Sequence, residues 1–384
     1  MEGRSSTADH SALPFLSMFA ARPPRESPLS LASSRSCRAS GICRRAGFTL
    51  VELLLAVGIL GMILTILGSF VSGLTHTVQQ GNVHLQRIGQ AQRAVDILRR
   101  TLSAATLNPY YDYADKTGAL RTGLEIQNST WVPASYIRVS DLRFIVGPAA
   151  ALTVKSPYDG AKVLGHAAFF QVDAGFTNIA LVGPLKGLLN TVGFYLEYGK
   201  RSDFSPVVPG STSEGKQFRL MMMIEPSESL SIYSLTSNRN YAGKAWYTTP
   251  LATKGNVHLL AENVLAFVLR PKQAVAGSAT SWSYFAYPYD SSLGSGTATQ
   301  LATQHELPPL IEVTLVLLDS RAALQLEQIS GGNSPDFLGL SSLFSNPGDV
   351  SYTSSLNALS NSLNEKKIAY HIETMDVPMT GANW

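Results

Sequence analysis

Beyond residue 47 this chain has no cysteine: of its 384 residues, only Cys37 and Cys43 carry a thiol. A disulfide framework and a cysteine-ligated zinc site are therefore excluded from everything after Gly47. Charge is sparse as well, with 15% Asp, Glu, Lys and Arg against 45% hydrophobic residues. The formal net charge of +3 is unevenly placed. Seven of the 30 basic and three of the 27 acidic residues fall in 1–47, leaving 23 basic and 24 acidic side chains beyond. A near-neutral remainder has no bulk attraction for nucleic acid, so no nucleic-acid partner is expected.

Enzyme signatures are missing too. The chain contains neither a G-x-S-x-G elbow nor an H-E-x-x-H pair. "GFYLEYGKR" (193–201) has the wrong glycine spacing for a phosphate loop and lies in a strand pattern. His76, His84, His166, His258, His305 and His371 stand singly, without ligand spacing, and read as structural or surface residues. "YPYDSSLGSG", around Asp290, offers one carboxylate where calcium takes about six to eight oxygens, and reads as a surface turn. No catalytic residue, metal or cofactor is expected.

What the chain does have is a long apolar run, "RRAGFTLVELLLAVGILGMILTILGSF" (44–70), interrupted by the carboxylate of Glu52. From Leu53 to Thr75, 23 residues carry no formal charge. As a helix they span roughly 35 Å against a hydrocarbon core of about 30 Å, which predicts a membrane span longer than the apolar core of a cleavable secretory signal. Arg35, Arg38, Arg44 and Arg45 precede the run, and the first basic residues after it are Arg87 and Arg93. The positive-inside bias puts the N-terminus in the cytoplasm and the bulk of the chain outside it.

Before the run, residues 1–43 are rich in Ser, Arg, Pro and Ala and predict disorder. After it, Ile88, Ala91, Val95, Leu98 and Leu102 recur at steps of three and four, so the helix is expected to continue amphipathically to a break near Asn108-Pro109. Short aromatic and β-branched runs follow: "SYIRVSDLRFIVG", "HAAFFQVDAGF", "TVGFYLEYG", "QFRLMMMIEP", "ENVLAFVLRP" and "PLIEVTLVLLD". "TSSLNALSNSLNEKKI" predicts one late helix and "AYHIETMDV" a last strand, while "KQAVAGSATSWSY" and "SSLGSGTATQLATQHELPP" read as long loops. The methionines of "RLMMMIE" read as a buried strand. Tyr284, Phe285, Tyr287 and Tyr289 read first as strand packing and second as exposed aromatics for gripping a partner. The expected fold class is α+β: a long N-terminal helix, membrane-spanning in its first half, followed by a strand-rich globular head.

The order Arg44-Arg45, Gly47, Phe48-Thr49-Leu50-Val51-Glu52 and then an apolar helix resembles the cleavage and methylation signature of type IV pilins and type II secretion pseudopilins. The resemblance implies a leader ending at Gly47, cut on the cytoplasmic face by a prepilin peptidase that also N-methylates Phe48. It further implies that Glu52 pairs with the new terminal ammonium of a neighbouring subunit. The partners implied are that peptidase, the membrane and other pilin-like subunits contacted through the N-terminal helix. A carboxylate within a membrane-length run costs several kcal/mol unless protonated or paired, which suits an intermolecular pair. A carboxylate resting at the membrane interface is the other reading of Glu52. The leader is long for that family, and a start at Met18 would shorten it.

The divisions expected are a disordered leader over 1–47, a transmembrane half-helix over 48–75, an amphipathic half over 76–105 and an extracytoplasmic head over 106–384. The order of "LLAENVLAFVLRP", "YFAYPYDSS", "LPPLIEVTLVLLDSRAALQL" and "LNEKKIAYHIETMDVPMTGANW" is similar to the Verru_Chthon cassette C proteins and to J-type minor pseudopilins and W-type minor pilins. That resemblance implies a non-catalytic assembly subunit, single-pass in the inner membrane. The alternative is a membrane-tethered binding module whose head grips a polysaccharide, a surface or DNA.

Overall fold

The computed structural model describes residues 49–116, 120, 131–179, 187–204, 215–234, 243–275, 281–293, 303–333 and 338–382, with backbone alone over 72–91. It divides into two compact units, one ending at Val71 and one running from Ser72 to Trp384. Helix α1 (Leu50–Ser103) begins in the first and ends in the second. In the second unit Ala94, Leu98 and Leu102 are buried and Val95 is half-buried, while Arg93, Asp96, Arg99 and Arg100 face solvent. This is the expected stripe at three- and four-residue steps. Its predicted members Ile88 and Ala91 lie outside the described side chains.

The helix stops at Ser103, short of the predicted break at Asn108-Pro109. Tertiary hydrogen bonds explain the early end. The Ser103 carbonyl accepts from the backbone N–H (3.1 Å) and the hydroxyl (2.7 Å) of Thr380, and the Ser103 hydroxyl donates to the Pro378 carbonyl. Strand β1 (Ala105–Thr106) then pairs at once with Val172 and Gln171.

Among the described residues, the head is built from two antiparallel sheets and a hairpin. The hairpin pairs β2 (Tyr110–Ala114) with β3 (Ser135–Val139). The first sheet contains β4 (Phe144–Pro148), β5 (Lys162–Asp173), β6 (Leu189–Lys200), β7 (Lys216–Glu225), β8 (Val257–Glu262) and β11 (Tyr289–Asp290) in the order β11-β4-β5-β6-β7-β8, with β1 on β5. The second contains β9 (Val264–Ala274), β10 (Trp282–Tyr284), β12 (Leu310–Leu318) and β13 (Tyr370–Pro378) in the order β10-β9-β12-β13.

Strand β9 touches β4, β5, β6 and β7, so it crosses the first sheet rather than running along one strand of it. Phe144, Phe170, Phe194, Phe267 and Leu269 belong to the apolar cluster that joins the two sheets. On the opposite face of the first sheet, Phe169, Tyr195, Met221 and Met223 pack with Trp246 and Tyr247 of α3 (Ala245–Leu251), which follows the short α2 (Ser231–Ser234). A sheet buried on both faces needs nearly continuous apolar strands, which is why "HAAFF" and "LMMMI" do not alternate. The methionine run is thus the buried strand that was expected.

The second sheet is backed by α5 (Asp349–Glu365), whose Tyr352 hydroxyl lies 2.7 Å from that of Thr314 on β12. Helix α4 (Ser320–Ser330), absent from the sequence reading, starts at Asp319, whose carboxylate accepts from Ser320 N–H, and ends at the left-handed Gly331. The run "ENVLAFVLRP" is not one strand. Asn263, at φ 59°, turns the chain from β8 into β9 and so from one sheet to the other. The predicted loop "KQAVAGSATSWSY" holds the end of β9 and the whole of β10, which pair antiparallel. Tyr284 and Tyr289 belong to different strands; Phe285 and Tyr289 are buried against each other, and Tyr284 and Tyr287 are half-buried.

A bulge in β5 fastens the sheets together. Gly165 adopts φ 62°, and a Cβ there would lie 3.1 Å from the Phe267 carbonyl, so the position requires glycine. The next residue, His166, is fully buried; its Nδ1 accepts from Leu269 N–H (3.1 Å), and its Nε2–H donates to the Phe344 carbonyl (2.9 Å). Burial holds this imidazole neutral, with its pKa pushed down to about 4. A depressed histidine pKa means the unfolded chain takes up a proton before the folded one does. Its contribution is complete above about pH 6.5 and is lost as pH falls toward 4, amounting to roughly 3 kcal/mol. Glu197 and Glu225, whose pKa values are raised by burial, act in the opposite direction. The difference between wild type and His166→Gln in denaturant unfolding therefore isolates the histidine. Wild-type stability is expected to fall more steeply than the variant's between pH 6.5 and 4; parallel curves contradict the assignment.

Candidate functional site at the start of the N-terminal helix

Thr49 stands just before α1, and Glu52 closes the first turn. The Thr49 hydroxyl accepts from Glu52 N–H at 3.3 Å, while Glu52 Oε2 accepts from the Thr49 N–H and hydroxyl, each at 3.4 Å. This reciprocal arrangement is a capping box, with Thr at the cap and Glu three residues on. It satisfies two backbone donors that the helix start would otherwise leave open, and it places negative charge at the positive end of the helix dipole. The Thr-x-x-Glu spacing that produces it is legible in "TLVE", a signal separate from the charge of Glu52.

Beyond the cap, Leu50–Val71 forms 22 residues of mean hydropathy 2.6, none of them buried. Among the described residues this is the one helix long and apolar enough to cross a membrane by length and composition. Leu53, Leu54, Leu60, Ile63, Ile66 and Phe70 all expose about half or more of their surface, an arrangement that water does not tolerate over such a length. Gly47, Phe48, Arg44 and Arg45 lie outside the described residues, so the geometry of the leader junction is not part of the described site.

Residues 42–68 match the family model of the prokaryotic N-terminal methylation motif. The chain carries a prepilin-type N-terminus. That match supports a pilin- or pseudopilin-type subunit, a kind of protein that is generally structural. It implies processing by a prepilin peptidase and assembly with other pilin subunits, and with the single apolar N-terminal helix it suits an inner-membrane-anchored protein. No curated protein matches the chain, and no solved structure does.

In the head the described histidines do different jobs. His166 is a buried clamp, and His371 lies exposed beside Glu373 at 3.3 Å. Burial and the nearby Arg143 and Arg138 push the pKa of His305 down to about 4. Asp290 Oδ1 accepts from the N–H and hydroxyl of Ser292, an ordinary turn. Among the described residues of the head, Tyr111, Tyr113 and Tyr136 form an exposed cluster on the hairpin, with Tyr136 stacked on Tyr111 (ring centroids 5.3 Å) and tilted against Tyr113 (5.2 Å), while Tyr233 and Trp282 are exposed elsewhere.

Proposed function

We propose that this protein is a minor pilin or pseudopilin: a non-catalytic assembly subunit of a type IV filament-like or type II secretion-like machine. The carrying observation is the coincidence, within residues 42–71, of the methylation motif with a fully exposed, membrane-length helix whose only acidic residue is capped at its start. In this reading the peptidase cuts between Gly47 and Phe48, guided by the basic leader end at Arg44 and Arg45, and methylates the Phe48 amine. Glu52 then meets the Phe48 ammonium of a neighbouring subunit. The chain crosses the inner membrane once, with the leader cytoplasmic and the head outside. The order of strands and late helix in the head supports a place among proteins like the Verru_Chthon cassette C family and the J-type and W-type minor subunits.

The test is the N-terminus of protein extracted from membranes. Intact-mass and N-terminal analysis are expected to show a chain beginning with N-methyl-Phe48. An intact leader in cells with active prepilin peptidase, or a terminus beyond residue 75, removes the reading.

A second reading rests on the tyrosine cluster of the hairpin. Three exposed aromatic rings on one face suit a head that grips a polysaccharide or a surface, using the helix only for delivery. Replacing Tyr111 and Tyr136 by serine separates the two: loss of surface binding with assembly intact favours the second reading, and unchanged binding favours the first.

A further inference from the structure

Lys272, on β9, is 3% exposed, an unusual state for an ammonium group. Its Nζ lies 2.7 Å from Asp376 Oδ1 on β13 and 3.0 Å from Glu312 Oε2 on β12. Strand β12 runs between the other two, and its register sets Glu312 opposite both Arg270 and Asp376. Lys272 is two residues past Arg270, so it shares that face and reaches diagonally across β12.

The surroundings fix each group. Glu312 Oε1 accepts from Arg270 Nε at 2.8 Å and from a terminal guanidinium nitrogen of the same residue. That leaves Oε2 directed at Lys272. Arg270 is held in turn by Asp349 at 3.0 Å and lies between the rings of Tyr284 (4.2 Å) and Tyr352 (3.8 Å). The Trp282 ring stands 4.7 Å from Lys272 Nζ. A buried amine is thus pressed against the carboxyl group of Asp376, which is 49% exposed, beside a second, largely buried carboxylate able to move protons and under an aromatic ring.

We propose that Lys272 and Asp376 condense into an intramolecular isopeptide bond, with Glu312 as the proton shuttle. Glu312 Oε2 takes a proton from the Lys272 ammonium, and the neutral amine attacks Asp376 Cγ to form the C–N bond. Glu312 passes that proton, and then a second from the same nitrogen, to one Asp376 oxygen. The C–O bond breaks and the oxygen leaves as water. One of the three ammonium protons remains on the amide nitrogen, two leave in the water, and the two opposite charges cancel. Glu312 ends as it began, and no oxidant or co-reactant is consumed. The product ties β9 to the edge strand β13 across β12, so the last strand of the sheet cannot peel away intact.

The experiment is mass spectrometry on the folded full-length chain, compared with the sequence from whichever N-terminus it carries. Wild type is expected to be one water lighter than its sequence, and trypsin should release the segments holding Lys272 and Asp376 as one branched species. Lys272→Arg keeps the cation and hence the fold, and should restore the full mass, as should Asp376→Ala. Glu312→Gln, with folding checked by circular dichroism, should leave the bond unmade. A folded wild type of full sequence mass, with the two segments released separately, overturns the proposal. So does water loss that persists in Lys272→Arg. Both outcomes are independent of leader cleavage, so they leave the pilin reading where it stands.

Discussion

Glu52→Val is expected to yield a chain that enters the membrane and is cut after Gly47, yet is missing from the assembled complex. Valine makes the span more apolar, so insertion is at least as favourable as in wild type. The leader junction is untouched, so cleavage persists. What disappears is the carboxylate proposed to meet the Phe48 ammonium of the next subunit. In a low-dielectric environment an ammonium deprived of its partner costs several kcal/mol, so crosslinking to the major pilin-like subunit should drop at least tenfold.

The capping box supplies a rival explanation, and two further variants decide between them. Glu52 also stabilises its own helix through Thr49, an effect of about 1 kcal/mol at most such caps. Glu52→Gln retains the capping geometry, since glutamine serves at that position as glutamate does, but removes the charge. If intermolecular pairing is what matters, Gln fails as Val does, while Thr49→Ala assembles nearly normally. If Gln assembles and Thr49→Ala does not, Glu52 acts only as a cap and the pairing mechanism is lost.

Arg219→Met is expected to destabilise the head by about 3–5 kcal/mol, a large fraction of the roughly 5–15 kcal/mol that holds a typical domain folded. Arg219 is fully buried on β7. Its Nε donates to Glu197 Oε1 (2.7 Å), and its terminal nitrogens donate to the Lys200 carbonyl and Asp203 Oδ2 (each 2.6 Å). The guanidinium also lies over the Phe204 ring at 4.8 Å. Gly199 makes room for it, since a Cβ there would lie 2.4 Å from a guanidinium nitrogen. Removing the arginine strands Glu197, which is fully buried and whose pKa burial already raises. Denaturant unfolding of Arg219→Met and of Arg219→Met with Glu197→Gln makes the test. The double variant should recover much of the loss, because the stranded charge is the main cost. Equal destabilisation of single and double variants would assign the loss to packing instead.

Much of this architecture was legible because it follows from local pattern. The apolar run, the stripe through Leu98 and Leu102, the late helix and the last strand each declare themselves by period. The misses have a common cause, which is that long-range pairing decided them. "ENVLAFVLRP" reads as one strand until Asn263 turns it between two sheets, and α1 ends where Thr380, far away in sequence, takes its last carbonyl. Helix α4 carried readable signals, Asp319 before it and Gly331-Gly332 after it, that the apolar run of β12 overshadowed. The aromatics near Tyr287 pack as expected at Phe285 and Tyr289, but Tyr284 and Tyr289 belong to different sheets, a division that alternation along one segment does not reveal.

By itself the sequence determined the N-terminal segment: the methylation motif, the span from Leu50 and the placement of Glu52 are contiguous, and contiguous residues interact through the helix they share. Only the tertiary structure decided that Arg219 finds Glu197, that His166 clamps Leu269 to Phe344, and that Lys272, Glu312 and Asp376 converge. Those groups lie on separate strands or loops. Their meeting depends on sheet order and register, which side-chain alternation along a single strand leaves open.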